Sequence, residues 1–287
     1  MPLSPVEPEA GIRFSIWHSP HVRGLHVLRT NTHLHSYPSH LHDGMEIFWV
    51  RKGAAVVRSR DCDWPVSEGE AGIVPPAELH SAWCPAGRVQ FDAILIPRPL
   101  LQGIIDDREL LRDGTGQPVG FRVISRQRAS LLLPALLDVI YNGRSAAQIT
   151  EALTPVLAQI LEQPSAACGI LGRACLHPAV SHAKSFIRDH CVDRVGLEEL
   201  AGTVNLDMRY FISLFKEATG MTPHQFQIAM RVDRARNFIQ QNVELCEVAL
   251  LTGFSDQSHF SRHFKRHYGL TPGMFREALT SRPNFVL

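Results

Sequence analysis

Hydrophobic and polar positions alternate with a short period in the first hundred residues. Apolar or alternating runs are bounded there by Gly, Pro and Ser, which is the pattern of β-strands. Because no helix-length segment separates these runs, they predict a compact barrel or sandwich and not a parallel sheet. The predicted strands cover residues 14–17, 25–30, 45–50, 54–58, 71–74, 81–83 and 89–96.

From Ser125 onward the apolar positions recur every three or four residues, which predicts helices. Two apolar-striped segments, 130–143 and 145–163, are joined by a short turn. Pro134 and Pro155 fall inside them and predict a kink or a later helix start. The apolar stripes favour either a dimer interface or packing against the barrel, and the pattern alone does not decide between them.

A repeat organises the C-terminal hundred residues. The segment that starts at Phe215 recurs at Phe264, 49 residues later, and each copy runs from a helix through Gly to Thr-Pro. Gly is the residue that ends a helix, while Thr-Pro caps and starts the next one. The same small helical unit is therefore expected twice.

Each repeat also predicts a helix-turn-helix. In the first copy, a short helix from Leu197 precedes a turn at Asn205, and Asp207 is a suitable N-cap for the second helix. The second copy turns at Gly253 and starts its second helix at Gln257. A continuous helix over 223–241 lies between the copies and would hold two DNA-reading helices about 34 Å apart, one turn of DNA.

Four residues of the predicted barrel have the composition of a metal site. His40 and His42 are two positions apart, so their side chains share one face of an extended chain. Asp43-Gly44 predicts a turn that returns Glu46 on the neighbouring strand, and His80 supplies a third imidazole. Such a set suits a first-row divalent metal. A metal-free pocket for an organic effector and a purely structural role are the alternatives that remain open.

Composition narrows the class of protein. The chain has 287 residues, 45% of them hydrophobic and 20% charged, with a net charge of +1. These values are ordinary for a globular protein, and no apolar run approaches the roughly 18 residues of a membrane span. We therefore expect a cytoplasmic protein without a membrane partner. The six cysteines include no Cys-x-x-Cys pair, so reduced thiols are expected.

The C-terminal segment resembles the AraC/XylS family of bacterial transcription factors. The resemblance covers about 178–279 and includes both Gly-x-Thr-Pro segments and the run from Gly253 to Lys265. It implies DNA contacts from the second helix of each unit. In the first unit the candidates are Arg209, Ser213 and Lys216, and in the second they are Gln257, Ser258, Ser261, Arg262, Lys265 and Arg266. Ser213 stands where Arg is common in the family, which implies weaker reading by the first unit.

The predicted barrel resembles the cupin family, and a cupin-like effector domain is common in AraC/XylS proteins. The first cupin motif, which here includes His40, His42, Glu46 and Gly53, matches in full. In the second motif, Ala77 stands where glycine is usual and Cys84 stands where asparagine is usual. By this resemblance, the same four residues would form the effector pocket, with a divalent transition metal as a candidate cofactor.

The sequence thus predicts an α+β protein of two domains. Residues 1–124 form a cupin-like effector-binding barrel, 125–163 a helical pair, 164–176 a linker and 177–280 an all-α double helix-turn-helix domain. The expected function is sequence-specific transcription regulation, without enzymatic activity, controlled by a small-molecule or metal effector. Expected partners are promoter DNA, a second copy of the chain and, for an activator, RNA polymerase. A metal-dependent cupin enzyme is the competing hypothesis, although two DNA-reading units have no use in catalysis.

Overall fold

The structure is a computed structural model that describes residues 13–32, 36–59, 62–104, 120–161 and 177–279. The predicted linker 164–176 and the chain termini lie outside these residues. Within them, an N-terminal sheet domain carries the helical pair, and a helical domain follows. The α+β class and the two-domain architecture are confirmed.

The sheet domain contains nine strands in the described residues, and all of their pairings are antiparallel. One sheet has the order β1-β2-β8-β4-β6-β9, while β3, β7 and β5 form a second sheet with the far end of β4. The strands are β1 Arg13–His18, β2 His26–Thr32, β3 Ser36–His40, β4 Met45–Ser59, β5 Cys62–Ser67, β6 Ala71–Val74, β7 His80–Trp83, β8 Val89–Ile96 and β9 Arg122–Ile124.

Strand β4 links the two sheets. Its first part pairs with β6 and β8, and from Ala54 to Ser59 it pairs with β5 and β7. The prediction of two separate strands there was wrong, because Gly53 continues the strand instead of ending it. Gly53 has a φ of 85° and packs so close to β8 that a Cβ would lie 2.6 Å from the Arg88 carbonyl oxygen. The glycine therefore permits the change of sheet within one strand.

Three strands and one short helix were not predicted. Pro38 lies in β3 and Pro65 in β5, and proline within a run normally argues against a strand. Strand β9 has only three residues, too few for a periodic pattern. Helix α1, Arg98–Ile104, begins directly after β8 and buries only Leu101.

Nine further helices follow α1 among the described residues. They agree with the predicted helices to within a few residues, and both Pro134 and Pro155 lie inside continuous helices. Among the described residues, none of the helices combines the length and the hydropathy that a bilayer-spanning segment needs. The helices are α2 Arg126–Asn142, α3 Ala146–Leu161, α4 Pro178–Asp189, α5 Leu197–Thr203, α6 Met208–Thr219, α7 Pro223–Gln240, α8 Leu245–Leu251, α9 Gln257–Tyr268 and α10 Pro272–Glu277.

The helical pair α2–α3 packs on the sheet domain. Leu133, Leu137 and Leu157 are buried in one cluster with Met45 and Ile47 of β4. Burial of these side chains accounts for the apolar stripe, since apolar area removed from water is the main stabilising contribution in a core. The packing alternative thus explains the stripe without a second chain.

The end of each repeat follows the predicted geometry. Gly220 and Gly269 adopt left-handed conformations with φ of 77° and 74°, as a helix-ending glycine does. Thr222 accepts a hydrogen bond from the Gln225 amide, and Thr271 accepts one from the Met274 amide. Both Thr residues therefore cap a helix that starts with proline.

One expectation about the cysteines was wrong. Cys84, Cys191 and Cys246 are free, but Cys62 is disulfide-bonded. Sequence spacing did not reveal this, because a disulfide depends on proximity in space and not on a local motif.

The two domains share hydrophobic cores. Leu41 and Ala77 of the sheet domain are buried in the cluster formed by α4, α5, α6 and α7, and Ile16 of β1 is buried with α7, α8, α9 and α10. The Ile16 amide also donates a hydrogen bond to the Ala278 carbonyl at 3.0 Å. The helical domain is therefore docked directly on the face of the sheet domain that carries the histidines.

Candidate effector site and DNA-reading surface

The structure brings His40, His42, Glu46 and His80 together. One potential ligand atom of each residue lies within 4.8 Å of the others. His40 ends β3 and pairs with His80 at the start of β7, while the turn after His42 places Glu46 on β4. The predicted grouping of these four residues is therefore what the fold produces.

Glu46 is the centre of this cluster. Its Oε2 atom lies 2.8 Å from His42 Nε2 and 3.9 Å from His80 Nε2. The ring centroids of His40 and His80 are 4.2 Å apart. The Nε2 sides of His42 and His80 and one carboxylate oxygen thus face a common point.

The other ring nitrogen of each histidine is held by the backbone. His40 Nδ1 donates to the Pro38 carbonyl at 2.9 Å, His42 Nδ1 to the Gly44 carbonyl at 2.8 Å, and His80 Nδ1 to the Glu78 carbonyl at 3.0 Å. A proton on Nδ1 leaves the Nε2 lone pair of a neutral ring available. This arrangement is how proteins orient histidines that bind metals.

Burial sets the charge states of the cluster. Removal from water lowers the pKa of His40 and of His80, so these rings are neutral at physiological pH. Burial alone would raise the pKa of Glu46, but the hydrogen bond from His42 and the positive charge of the neighbouring imidazoles in their protonated forms outweigh it and hold that pKa at about 2. Neutral imidazoles and an ionised carboxylate are the forms that bind metal ions.

The donor set fits a first-row divalent ion. Nitrogen and oxygen donors of this kind suit Zn²⁺, Mn²⁺, Fe²⁺ or Ni²⁺, with geometry and availability deciding among them. His42 gives a further indication, because acceptors face both of its ring nitrogens, the Gly44 carbonyl at 2.8 Å and Glu46 at 2.8 Å. A neutral ring has one N–H, so this arrangement needs either a second proton or a cation.

Ala77 and Cys84, the departures from the second cupin motif, have different consequences. Ala77 adopts φ of 55°, the left-handed conformation for which glycine is the usual residue. The backbone of the turn is thus kept at the cost of some strain. Cys84 lies outside the four-residue cluster and lines the adjoining cavity, where burial raises the pKa of its thiol to about 11.

A cavity of about 130 Å³ adjoins the cluster between the two sheets. Its walls are mainly apolar and include Leu28, Phe48 and Phe91. The helical domain closes it with Arg236 of α7 and with residues of α9 and α10. The sequence did not predict this contribution of the helical domain, because no local pattern relates positions so far apart in the chain.

The predicted DNA-reading residues of the first unit lie on the exposed side of α6. Arg209, Ser213 and Lys216 are exposed, while Phe211 and Phe215 on the opposite side are buried. Tyr210 was not predicted as a contact, yet it is 54% exposed beside Arg209. An exposed aromatic side chain on this helix adds a candidate for stacking or for a thymine methyl contact.

The second unit presents a denser basic surface on α9. Its buried side carries Phe260 and Phe264, and Asp256 accepts the hydrogen bond from the His259 amide that caps the helix. Ser261 is half-buried, whereas the other five candidates are exposed: Gln257, Ser258, Arg262, Lys265 and Arg266. Both helices thus have the form of major-groove readers.

Two sequence-family comparisons agree with this division. Residues 24–158 match the family described as an AraC-like ligand binding domain, and residues 200–278 match a helix-turn-helix domain. The transcriptional regulator YbfI of Bacillus subtilis is 23% identical over 81% of this chain and 88% of its own length. The transcriptional activator RhaS of Enterobacter sp. (strain 638) is also 23% identical, over 84% of this chain and 88% of its own length.

Solved structures show the same fold. ToxT of Vibrio cholerae superposes with a TM-score of 0.61 at 10% identity, covering 89% of this chain and 98% of that one. ToxT with bound unsaturated fatty acid superposes with a TM-score of 0.62 at 10% identity, over 91% of this chain and 97% of that one. An AraC-like ligand-binding domain followed by a helix-turn-helix DNA-binding domain identifies the chain as a transcription regulator of the AraC/XylS family.

Proposed function

We propose that the chain regulates transcription from specific promoters in response to a divalent transition metal held by His40, His42, Glu46 and His80. The observation that carries this proposal is the backbone anchoring of all three Nδ1 atoms. This orientation favours a bound ion because one ligand atom from each of the four residues also lies within 4.8 Å of the others. When bound, the metal would cross-link β3, β4 and β7 in the wall of the cavity.

Each residue has a definite part in such a site. Glu46 supplies the negative charge, because its pKa of about 2 keeps it ionised. His40 and His80 remain neutral and bind without first losing a proton. The carbonyls of Pro38, Gly44 and Glu78 keep the rings turned toward the carboxylate.

The metal proposal is tested by metal analysis of the purified chain and by calorimetric titration with Mn²⁺, Ni²⁺, Co²⁺ and Zn²⁺. We expect one ion per chain and loss of binding in His80→Ala. His18→Ala is the matched control, since His18 lies at the end of β1 outside the cluster. Wild-type protein that binds none of the four ions, nor Fe²⁺ supplied in the absence of oxygen, would contradict the metal proposal.

The DNA-binding proposal has its own test. Wild-type protein selects duplexes from a random pool, and footprinting of a selected duplex should show two protected patches about one helical turn apart. Arg262→Ala should weaken the patch read by α9, while Arg144→Ala, an exposed change in the sheet domain, should leave both patches intact. Protection that does not depend on DNA sequence would refute specific recognition.

An organic effector is a second candidate, favoured by the apolar cavity next to the cluster. ToxT has been solved with an unsaturated fatty acid, which makes an apolar ligand reasonable in a related fold. Arg236 Nε is buried at the cavity without a hydrogen-bond partner in the described residues, so a ligand acceptor could satisfy it. Thermal-shift screening of His42→Ala distinguishes the candidates, since a ligand that still stabilises this variant does not act through the metal.

The competing enzyme hypothesis receives no support from the relatives, which are transcription regulators. We propose activation as the output because RhaS is a transcriptional activator. Activation would require contact with RNA polymerase. We also propose a homodimer, which sedimentation of the full chain with and without metal would detect.

A further inference from the structure

The segment from His40 to Asp43 has two faces. His40 and His42 belong to the candidate metal cluster, and Leu41 and Asp43 contact the helical domain. Leu41 is buried in the core formed by α4 to α7, and Asp43 Oδ1 accepts a hydrogen bond from Arg188 Nε of α4 at 2.7 Å. These four consecutive residues therefore join the cluster to the helical domain.

The second DNA-reading helix is attached to the same segment. His267 Nε2 of α9 donates a hydrogen bond to the Leu41 carbonyl at 2.7 Å. Leu41 lies between two candidate metal ligands, and the ring of His267 also packs 5.5 Å from the ring of His40. The helix that carries Arg262, Lys265 and Arg266 thus contacts the ring of His40 and is hydrogen-bonded to the peptide group between two candidate ligands.

A second series of contacts connects the segment to α9 through α7. The Asp43 amide donates to Asp233 Oδ2 at 3.3 Å, and the hydroxyl of Tyr268 donates to Asp233 Oδ1 at 3.3 Å. Asp233 also pairs with Arg236 at 3.0 Å. The segment is therefore joined to α9 by two routes, one direct and one through the helix that connects the two reading units.

We propose that the His40–Asp43 segment transmits occupancy of the metal site to the second reading helix through the His267–Leu41 hydrogen bond. The inference rests on the proposed metal function and specifies its regulation. Metal bound by His40 and His42 would fix the orientation of the Leu41 peptide, and that orientation sets the docking of α9. Among the described residues, the hydrogen bond from a reading helix to this segment comes from α9, whereas α6 shares only the apolar core around Leu41, so we expect the larger effect on the second unit.

The test measures how strongly metal binding and DNA binding affect one another in the full chain. DNA affinity is measured by fluorescence anisotropy, on a duplex selected by the wild type, without metal and with the ion that binds most tightly in calorimetry. We expect metal to change the wild-type Kd for DNA by about 5- to 150-fold, the usual range of allosteric coupling. In His267→Leu, metal affinity should stay within about twofold of wild type, while the change in DNA affinity should disappear.

Two further variants show whether an effect of His267→Leu is specific to its contact with Leu41. His263→Leu makes the same substitution on the same helix, but the ring of His263 contacts Phe254 and His259 of its own unit. This control should retain the full metal response. Arg188→Gln removes the ion pair with Asp43 without touching α9, and we expect it to reduce the response even if His267→Leu fails to fold.

The outcomes distinguish failure of the proposed transmission route from failure of the proposed metal function. Calorimetry that detects no metal binding in the wild type overturns both. If metal binds but does not change the DNA affinity of the wild type, only the transmission route is overturned. The same holds if metal changes the DNA affinity equally in wild type, His267→Leu and Arg188→Gln. Loss of the response in His267→Leu and its reduction in Arg188→Gln, with an intact response in His263→Leu, supports the assigned route.

Discussion

Arg231 Nη1 of α7 lies 2.6 Å from the carbonyl oxygen of Gly253, in the turn of the second helix-turn-helix. The same guanidinium donates through Nε to the Cys191 carbonyl at 2.6 Å and through Nη2 to the Asp193 carbonyl at 2.8 Å, both just after α4. One side chain thus binds the start of the first unit to the turn of the second. The relative position of the two reading helices depends on this side chain as well as on α7.

Replacing Arg231 should therefore destabilise the helical domain. We expect Arg231→Ala to lower the free energy of unfolding by at least about 2 kcal/mol, since three backbone carbonyls lose a charged donor. Arg231→Lys should recover only part of this, because an ammonium cannot reproduce the planar fork. Urea unfolding measures the effect. The exposed Arg234→Ala on the same helix should change stability by less than about 0.5 kcal/mol, and an equal effect of both changes would contradict the role of Arg231.

Gly44 should be intolerant of a side chain. A Cβ at this position would lie 2.3 Å from the Ile96 carbonyl oxygen, a distance that backbone movement would have to relieve. We expect Gly44→Ala to destabilise the sheet domain and to weaken metal binding, because the Gly44 carbonyl holds His42. Gly103→Ala in α1 is the control, with no atom within 4 Å of its Cβ, and should be neutral or stabilising by up to about 1 kcal/mol. Thermal unfolding of both variants provides the comparison.

The two reading helices should contribute unequally to specificity. Arg262→Ala on α9 is expected to cost about 1–3 kcal/mol of discrimination at one base pair. Lys265→Ala should instead weaken binding to all sequences and reduce the salt dependence by about one unit of slope. Titrations of matched and single-mismatch duplexes at several salt concentrations measure both effects. A larger loss of specificity in Arg209→Ala than in Arg262→Ala would reverse the predicted order of the two units.

Glu46→Gln should abolish tight metal binding while preserving the shape of the site. The amide is nearly isosteric with the carboxylate but removes its negative charge, so we expect a loss of affinity of more than about 100-fold, beyond the usual effect of changing a residue that only supports a ligand. Glu70→Gln is the control. Glu70 follows strand β5, and the hydrogen bond described for its side chain is the one that it accepts from the nearby Ser67 amide. Calorimetry with the preferred ion makes the comparison. Unchanged affinity in Glu46→Gln would exclude the carboxylate as a ligand.

Sequence spacing predicted the features that depend on neighbouring residues. The i, i+2 pair His40 and His42, the turn to Glu46 and the helix caps at Thr222 and Thr271 all follow from local backbone geometry. Features that depend on distant residues were missed. Leu41 and His267 are 226 positions apart, and no periodicity relates a buried histidine on a reading helix to a carbonyl of the sheet domain.

The shared cores have a consequence for how the protein unfolds. Leu41 belongs to the interior of the first helical unit and Ile16 to that of the second. If the helical domain separated, both side chains would be exposed to water, and the reading units would lose part of their own interior. The two domains should therefore melt in one cooperative transition. By the same reasoning, the ligand-binding domain and the helix-turn-helix domain are not independent folding units. A chimaera that joins this sheet domain to the DNA-binding domain of another regulator must therefore preserve the partners of Leu41 and Ile16.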